Sequence, residues 1–154
     1  MSKIRPHEAG FTLLEMVSVV AILGLTAAIL LPRLPRETSR LRLAAYAIEA
    51  ASLLKSDRTT AIRRRSEIAT EIDAGARVIR SGSTGRTVHV PDDVAFDSVL
   101  PRRCNQRQVI STITFFATGT SCGGVIALTR FGSGFEIRVN WLTGNVEIVS
   151  HPPT

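Results

Sequence analysis

The sequence predicts an α+β fold in which a long N-terminal α-helix precedes antiparallel β-sheets. Three observations lead to this prediction. An apolar run extends from Phe11 to Leu31, a helical pattern without Gly or Pro extends from Glu37 to Glu67, and short alternating segments with turn residues between them fill the rest of the chain. A helical region followed only by strands favours sheets that pack on the helix.

The first element is an apolar helix that contains a single charged residue, Glu15. Phe11 to Leu31 is a run of 21 residues, and at 1.5 Å per residue it is about 31 Å long, close to the hydrocarbon thickness of a bilayer. We therefore expect residues 11–35 to cross a membrane. A charged side chain in hydrocarbon is costly unless it is paired, so Glu15 is expected to have a partner and a function.

The second element is an amphipathic helix that we predict to end at about Arg65. Its apolar residues recur at spacings of three and four. They form one predicted stripe of Leu41, Ala44, Ile48, Ala51 and Leu54. Joined to the apolar run, this segment predicts one helix of about 50 residues with a bend near Pro32. Arg63 and Arg64 fall at the helix end with Arg65, where they complement the helix dipole; contact with an acidic partner or DNA is the alternative.

Short alternating segments with turn residues between them predict the β-sheets. The predicted strands are residues 67–73, 76–81, 87–91, 94–99, 111–118, 124–131, 135–141 and 145–150. Residues 131–134 and 142–145 predict hairpin turns, 81–86 predict a loop, and 105–108 predict an exposed polar segment. We expect Trp141 to pack a sheet face against the helix.

The boundary between the polar start and the apolar run carries a specific motif, GFTLLE, at residues 10–15. This motif resembles the class III signal of type IV prepilins and of the pseudopilins of type II secretion. The resemblance implies that a prepilin peptidase cleaves between Gly10 and Phe11, removes the leader 1–10 and methylates the new amino terminus on Phe11. It also implies an assembly function for Glu15, whose carboxylate can pair with the new α-amine in its own chain or in a neighbouring subunit.

The C-terminal part of the chain narrows the resemblance to the GspH/FimT family. There, an F-x-x-x-G-x-x-x-G-G segment precedes two strands and a W-L-T-G-x-V hairpin. The matching residues are Phe115, Gly119, Gly123, Gly124, Trp141, Leu142, Thr143, Gly144 and Val146. The fold of this family is type IV pilin-like, with a long N-terminal helix, membrane-spanning in its first half, packed on antiparallel β-sheets. The resemblance implies that residues 36–65 are the periplasmic half of the helix and residues 66–154 a β-rich globular domain.

Within this family, the sequence is most similar to the minor pseudopilins of the H type. The similarity implies a structural subunit of the periplasmic pseudopilus of a type II secretion system, which helps to initiate or cap the fibre that drives exoprotein export. The implied partners are other major and minor pseudopilins, the prepilin peptidase, the inner-membrane assembly platform and secreted substrates. The implied location is the bacterial inner membrane, with a single span and the globular domain in the periplasm.

A FimT-like minor type IV pilin that binds DNA for uptake is the alternative function. The chain has 19 basic and 13 acidic side chains, and nearly all the basic ones are arginine, which suits phosphate contacts. The C-terminal tail EIVSHPPT contains no arginine, unlike the tails of DNA-binding members, so we favour the secretion function. A signal-anchored periplasmic protein unrelated to fibres, with a mature start at Met1 or near Ile29, is the third alternative.

No pattern in the sequence predicts catalysis, a cofactor or a metal site. The sequence contains no phosphate loop, G-x-S-x-G or H-E-x-x-H motif. We expect His89 to be an ordinary strand residue and Asp92 and Asp93 to be turn residues. Cys104 and Cys122 are too few and too far apart for a zinc site of the paired-cysteine type. In an oxidising compartment they can form a disulfide, and two separate buried thiols are the alternative.

Overall fold

The structure of the protein is a computed structural model that describes residues 12–30 and 38–151. The chain divides into two compact units, Met1–Arg36 and Glu37–Thr154. In chain order, the elements are α1 (Leu13–Leu30), α2 (Arg40–Arg64), β1 (Ile68–Asp73), β2 (Val78–Arg80), β3 (Thr87–His89), β4 (Ala95–Val99), β5 (Arg103–Cys104), β6 (Arg107–Gln108), β7 (Thr112–Phe115), β8 (Gly124–Arg130), β9 (Ser133–Val139) and β10 (Val146–His151). Helix α1 belongs to the first unit, and all the other elements belong to the second.

The strands of the second unit form two four-stranded sheets and one short hairpin. The first sheet has the order β3-β2-β1-β7, the second has the order β10-β9-β8-β4, and β5 pairs with β6. The pairings between these strands are antiparallel. Helix α2 contacts strands of both large sheets, and the hydrophobic core lies where they meet. The predicted α+β fold, with a helical region packed on antiparallel sheets, is confirmed.

Helix α2 packs on the sheets through a face that differs from the predicted stripe. Leu41 and Ile48 are 83% and 60% exposed, so the prediction that they face the core is wrong, whereas Ala51 and Leu54 are buried as predicted. The buried face consists of Leu43, Ala47, Ala50, Ala51, Leu53, Leu54, Asp57, Thr60 and Ala61. Two apolar stripes run along this alanine-rich helix, and periodicity alone does not indicate which of them faces the sheets.

The predicted single helix is interrupted at the start of α2. Ser39 is the N-cap of α2, because its backbone is extended (φ −70°, ψ 160°) and its side-chain oxygen accepts a hydrogen bond from the N–H of Arg42. The prediction of one continuous helix is therefore wrong at Ser39, and the predicted bend at Pro32 lies outside the described residues. The predicted helix end is confirmed, since Arg65 terminates α2 in a left-handed conformation (φ 50°).

Each predicted strand segment overlaps a strand of the structure, and the structure adds the β5–β6 hairpin. The turn residues of this hairpin, Asn105 and Gln106, have φ angles of 47° and 64°, as a two-residue type I′ turn requires. Strands of two residues show no alternation, so the sequence pattern did not reveal them. The predicted turn between β8 and β9 is confirmed, with positive φ at Phe131 and Gly132.

Candidate functional site

Glu15 lies in the first turn of α1, where Thr12 caps the helix. The N–H of Glu15 donates to the carbonyl oxygen of Thr12 at 3.0 Å and to its hydroxyl oxygen at 3.3 Å. Thr12 and Glu15 occupy the N-cap and N3 positions of a capping box, and a carboxylate there also complements the helix dipole. Sequence reasoning missed this local function, although the T-x-x-E spacing indicates it. The predicted cleavage and methylation sites, Gly10 and Phe11, lie outside the described residues.

Helix α1 presents apolar side chains on all sides. Its large apolar residues are between 48% and 83% exposed in the isolated chain: Leu13, Leu14, Met16, Val17, Val19, Val20, Ile22, Leu23 and Leu25. A helix that is apolar all round normally lies in an apolar environment. Within the part of the chain that the structure describes, no helix combines the length and the apolar character that a membrane crossing requires.

A fully buried carboxylate, that of Asp57, joins α2 to strand β1 and to the loop after β2. Its Oδ2 accepts hydrogen bonds from the hydroxyl of Thr70 at 2.7 Å and from the N–H of Gly82 at 3.0 Å. Its Oδ1 accepts from the hydroxyl of Ser81 at 2.6 Å and from the N–H and hydroxyl of Ser83 at 3.2 and 2.5 Å. These hydrogen bonds replace the hydration that the buried charge has lost.

Sequence reasoning missed Asp57, although the buried face of α2 contains a signal for it. Asp57 follows Leu54 by three residues and precedes Ala61 by four, so it continues the buried apolar stripe. A carboxylate in such a position needs hydrogen-bond donors. The loop predicted at residues 81–86 supplies them, so it is confirmed as a loop, but its first residue, Ser81, is buried.

The side chain of Arg58 fastens the loops that follow β7 and β9. Its Nε donates to the carbonyl oxygen of Gly119 at 3.0 Å, and its Nη2 donates to that of Thr143 at 2.9 Å. Gly144 has a φ of 64°, and a Cβ atom there would collide with the carbonyl oxygen of Gly119. This turn therefore requires glycine, and the two glycine-containing loops are in direct contact.

Trp141 lies on the surface, in the loop after β9, and does not pack a sheet face against the helix as predicted. Its side chain is 66% exposed, and that of Leu142 is 60% exposed. The loop is shaped by Asn140, whose Oδ1 accepts hydrogen bonds from the N–H groups of Leu142 at 2.9 Å and Thr143 at 3.0 Å. The prediction is wrong because it inferred burial from the size of the side chain, whereas the polar turn at Asn140 ends the strand before Trp141.

Cys104 and Cys122 are paired in the structure, with Cα atoms 5.6 Å apart, a separation typical of disulfides. Cys104 belongs to β5, and Cys122 lies between β7 and β8. The N–H of Cys122 donates to the carbonyl oxygen of Thr114 in β7 at 3.0 Å, and the N–H of Ser121 donates to that of Trp141 at 2.9 Å. The pair therefore joins the β5–β6 hairpin to a segment that contacts both β7 and the loop after β9.

Besides its predicted position in a turn, Asp93 binds the residue that precedes the N-cap of α2, Thr38. Its carboxylate accepts hydrogen bonds from the N–H and the hydroxyl of Thr38 at 2.6 and 2.8 Å. The guanidinium of Arg130 lies 3.2 Å from the same carboxylate and donates to the carbonyl oxygen of Thr38 at 2.8 Å. The hydrogen bonds from Thr38, followed by the charge of Arg130, lower the pKa of Asp93 below its ordinary value, although desolvation opposes them.

The arginine cluster at the end of α2 and the strand residue His89 occupy ordinary surface positions. Arg63 and Arg64 lie in the last turn of α2, where the helix dipole favours positive charge. His89 is exposed on β3. Across residues 12–30 and 38–151, no three His, Cys, Asp or Glu side chains form a group that could hold a metal ion.

Comparison with known proteins finds similarities in both units of the chain. Residues 5–31 match the family model of the prokaryotic N-terminal methylation motif. The type II secretion system protein H of Xanthomonas campestris pathovar campestris is 29% identical over 143 residues, which cover 93% of this chain and 84% of that protein.

Two solved structures share the fold of the chain. The minor pseudopilin EpsH from the type 2 secretion system of Vibrio cholerae matches with a TM-score of 0.52 and 11% identity, over 68% of this chain and 93% of EpsH. The type IV minor pilin FimU of Pseudomonas aeruginosa matches with a TM-score of 0.53 and 17% identity, over 75% of this chain and 92% of FimU. The chain has a type IV pilin-like fold. In this pilin-like protein, the methylation motif lies in the first unit and the contact between Arg58 and its two loops lies in the second.

Proposed function

We propose that this pilin-like protein is a minor pseudopilin. It is a structural subunit, rather than an enzyme, of the periplasmic pseudopilus of a type II secretion system, and it helps to initiate or cap the fibre that drives exoprotein export. The observation that carries this proposal is the similarity to a type II secretion system protein H, which covers 93% of the chain. Because that similarity spans both units, it concerns the whole subunit and not the N-terminal motif alone.

The proposal includes processing at the N-terminus. A prepilin peptidase cleaves after Gly10 and methylates Phe11, so that the new cationic α-amine directly precedes the N-cap residue Thr12. Glu15 lies in the first turn of the same helix, and its carboxylate faces the amine of a neighbouring subunit in a stack of parallel helices. Opposite charges attract strongly in a bundle of low dielectric constant, and their pairing offsets the cost of burial. This pairing sets the register between subunits.

We further propose a single span in the bacterial inner membrane at residues 11–35, with residues 36–65 and the globular domain 66–154 in the periplasm. The apolar run of the sequence continues beyond both ends of α1, and the exposed apolar surface of α1 supports contact with lipid or with other helices. The proposed partners are other major and minor pseudopilins, the prepilin peptidase, the inner-membrane assembly platform and secreted substrates. In the oxidising periplasm, Cys104 and Cys122 form a disulfide.

A deletion strain of the organism that encodes this chain tests the function. We expect the deletion to leave exoproteins in the periplasm, and expression of the wild-type chain to restore their export. Unchanged export would contradict the proposal. The protein extracted from membranes should begin at a methylated Phe11 when its N-terminus is sequenced. A start at Met1 or near Ile29 would instead support the protein unrelated to fibres.

DNA capture by a FimT-like minor pilin is the second candidate function. The match to the type IV minor pilin FimU, with a TM-score of 0.53, is compatible with a pilus subunit, since the fold is shared by both groups. In that case the deletion would abolish transformation and leave export intact. The full chain would also bind DNA, with an affinity that falls steeply as the salt concentration rises.

A further inference from the structure

A cleft of about 640 Å³ lies between the loop after β9 and the β5–β6 hairpin. We call it the Trp141 cleft, and Phe116, Trp141, Leu142 and Arg103 lie in its walls. The exposed surfaces of Trp141 and Leu142 are adjacent, and the exposed Val99 lines a second depression on the other side of Trp141. Large apolar side chains gathered on a surface mark a site of protein contact.

The walls of the Trp141 cleft are held in place before any partner binds. On one side, Arg58 and Asn140 fix the backbone of the loop that carries Trp141. On the other side, the pairing of Cys104 with Cys122 ties the hairpin to the segment before β8. A surface that is already ordered loses little conformational entropy when a partner docks.

The charges around the Trp141 cleft define the chemistry of its partner. Among the described residues, the lining of the cleft contains one charged side chain, Arg103, and no carboxylate. Two more exposed arginines lie nearby, Arg107 on the same hairpin and Arg102 just before it. Tryptophan and arginine are the residues most enriched where protein interfaces gain their affinity. We propose that the Trp141 cleft docks a segment of a partner protein in which an apolar side chain is flanked by carboxylates. The apolar side chain covers Trp141 and Leu142, and a carboxylate pairs with Arg103.

A single-stranded nucleic acid is the competing kind of partner, because its bases also stack on aromatic rings. Such sites combine aromatic side chains with a continuous positively charged groove that follows the phosphates. The lining of the Trp141 cleft is mainly apolar and includes one arginine, Arg103. This composition favours a protein segment.

Fluorescence of the full chain in detergent micelles tests the proposal, because Trp141 is the only tryptophan of the sequence. The probes are six-residue peptides in which Leu, Ile or Phe is flanked by Asp and Glu, and the same peptides with Lys in place of the acidic residues. We expect a saturable blue shift of Trp141 emission with at least one acidic peptide and none with the lysine peptides. Absence of saturation with every acidic peptide would overturn the proposal.

Matched variants separate docking in the cleft from general attraction between charges. Arg103→Gln should weaken binding of the acidic peptide about tenfold or more, whereas Arg86→Gln, which removes an exposed arginine outside the cleft, should leave it unchanged. Leu142→Ser should also weaken it, and Phe131→Ser, which alters another exposed apolar side chain, should not. Equal effects of the two arginine variants would overturn the proposal. So would tighter saturable binding of a single-stranded DNA oligonucleotide that depends on Arg103.

Discussion

Replacement of Asp57 by alanine should destabilise the globular unit by about 2–4 kcal/mol. The substitution removes the acceptor of five hydrogen bonds. The hydroxyls of Thr70 and Ser81 are buried and cannot turn to water, and each buried donor without a partner costs about 1–3 kcal/mol. The hydroxyl of Ser83, 3.2 Å from that of Ser81, can accept a hydrogen bond from Ser81 and so keeps the total in the lower part of that range. The N–H of Gly82 and the groups of Ser83 lie nearer the surface and can hydrogen-bond to water, so they add little.

The assay is denaturant unfolding of the full chain in detergent micelles, followed by circular dichroism of the β-sheets. Asp57→Asn preserves the volume of the side chain and one acceptor oxygen. Its NH₂ group, however, faces donors that the second carboxylate oxygen of Asp57 accepts hydrogen bonds from, so this variant should regain only part of the stability that Asp57→Ala loses. Asp97→Ala is the matched control, because Asp97 is an exposed residue of β4 whose replacement should change the free energy of unfolding by about 0.5 kcal/mol or less.

A loss below about 1 kcal/mol in Asp57→Ala would refute the reasoning, since the buried hydroxyls alone account for more than that. A second comparison tests whether Asp57 and Ser81 belong to one hydrogen-bond network. Ser81→Ala should cost stability in the wild-type chain but much less in the Asp57→Ala background, because residues of one hydrogen-bond network are not additive. Additive losses would show that the two side chains act independently.

Three further predictions concern other contacts of the chain. Because the pKa of Asp93 is lowered in the folded state, its ionised form stabilises the fold above about pH 3.8, the ordinary pKa, and this contribution is lost as the pH falls through the folded pKa. Asp93→Asn should therefore reduce the dependence of the free energy of unfolding on pH at acid pH. An unchanged pH dependence would contradict the contact with Thr38. The Glu15→Ala chain should still be inserted and cleaved but should assemble poorly with its proposed pseudopilin partners in cross-linking experiments. Normal assembly would contradict the proposed register between subunits. Reduction of Cys104 and Cys122 should lower the free energy of unfolding by roughly 3 kcal/mol, with a free-thiol assay on unreduced protein as the check that the bond was present.

The overall fold follows from the sequence because its signals are local and repeated. The strand segments alternate over several residues, the turns carry glycine, and the end of α2 at Arg65 coincides with the end of the helical pattern. The choice of the buried face of α2 depends instead on contacts with the sheets. Leu41 and Leu43 both begin apolar stripes, and only the structure shows that the stripe from Leu43 is covered.

The candidate sites also differ in how far the sequence reveals them, because some are contiguous and others are formed by residues distant along the chain. The GFTLLE motif is contiguous, so the sequence reveals it, whereas the partners of Asp57 are up to 26 residues away along the chain. The prediction that Trp141 packs a sheet face against the helix was wrong for a related reason. Its environment depends on the turn at Asn140, and no pattern within the strand before it indicates that the chain turns away from the core there.

Two carboxylates connect α2 to the rest of its unit, one at its N-terminal end and one in its C-terminal half. Asp93 holds Thr38, the residue before the N-cap, through two hydrogen bonds, and Arg130 holds the carbonyl oxygen of the same residue. Asp57 holds the C-terminal half of the helix to β1 and to the loop after β2. The N-terminal end of α2 is therefore linked to the segment before β4 and to the end of β8, and its C-terminal half is linked to the first sheet.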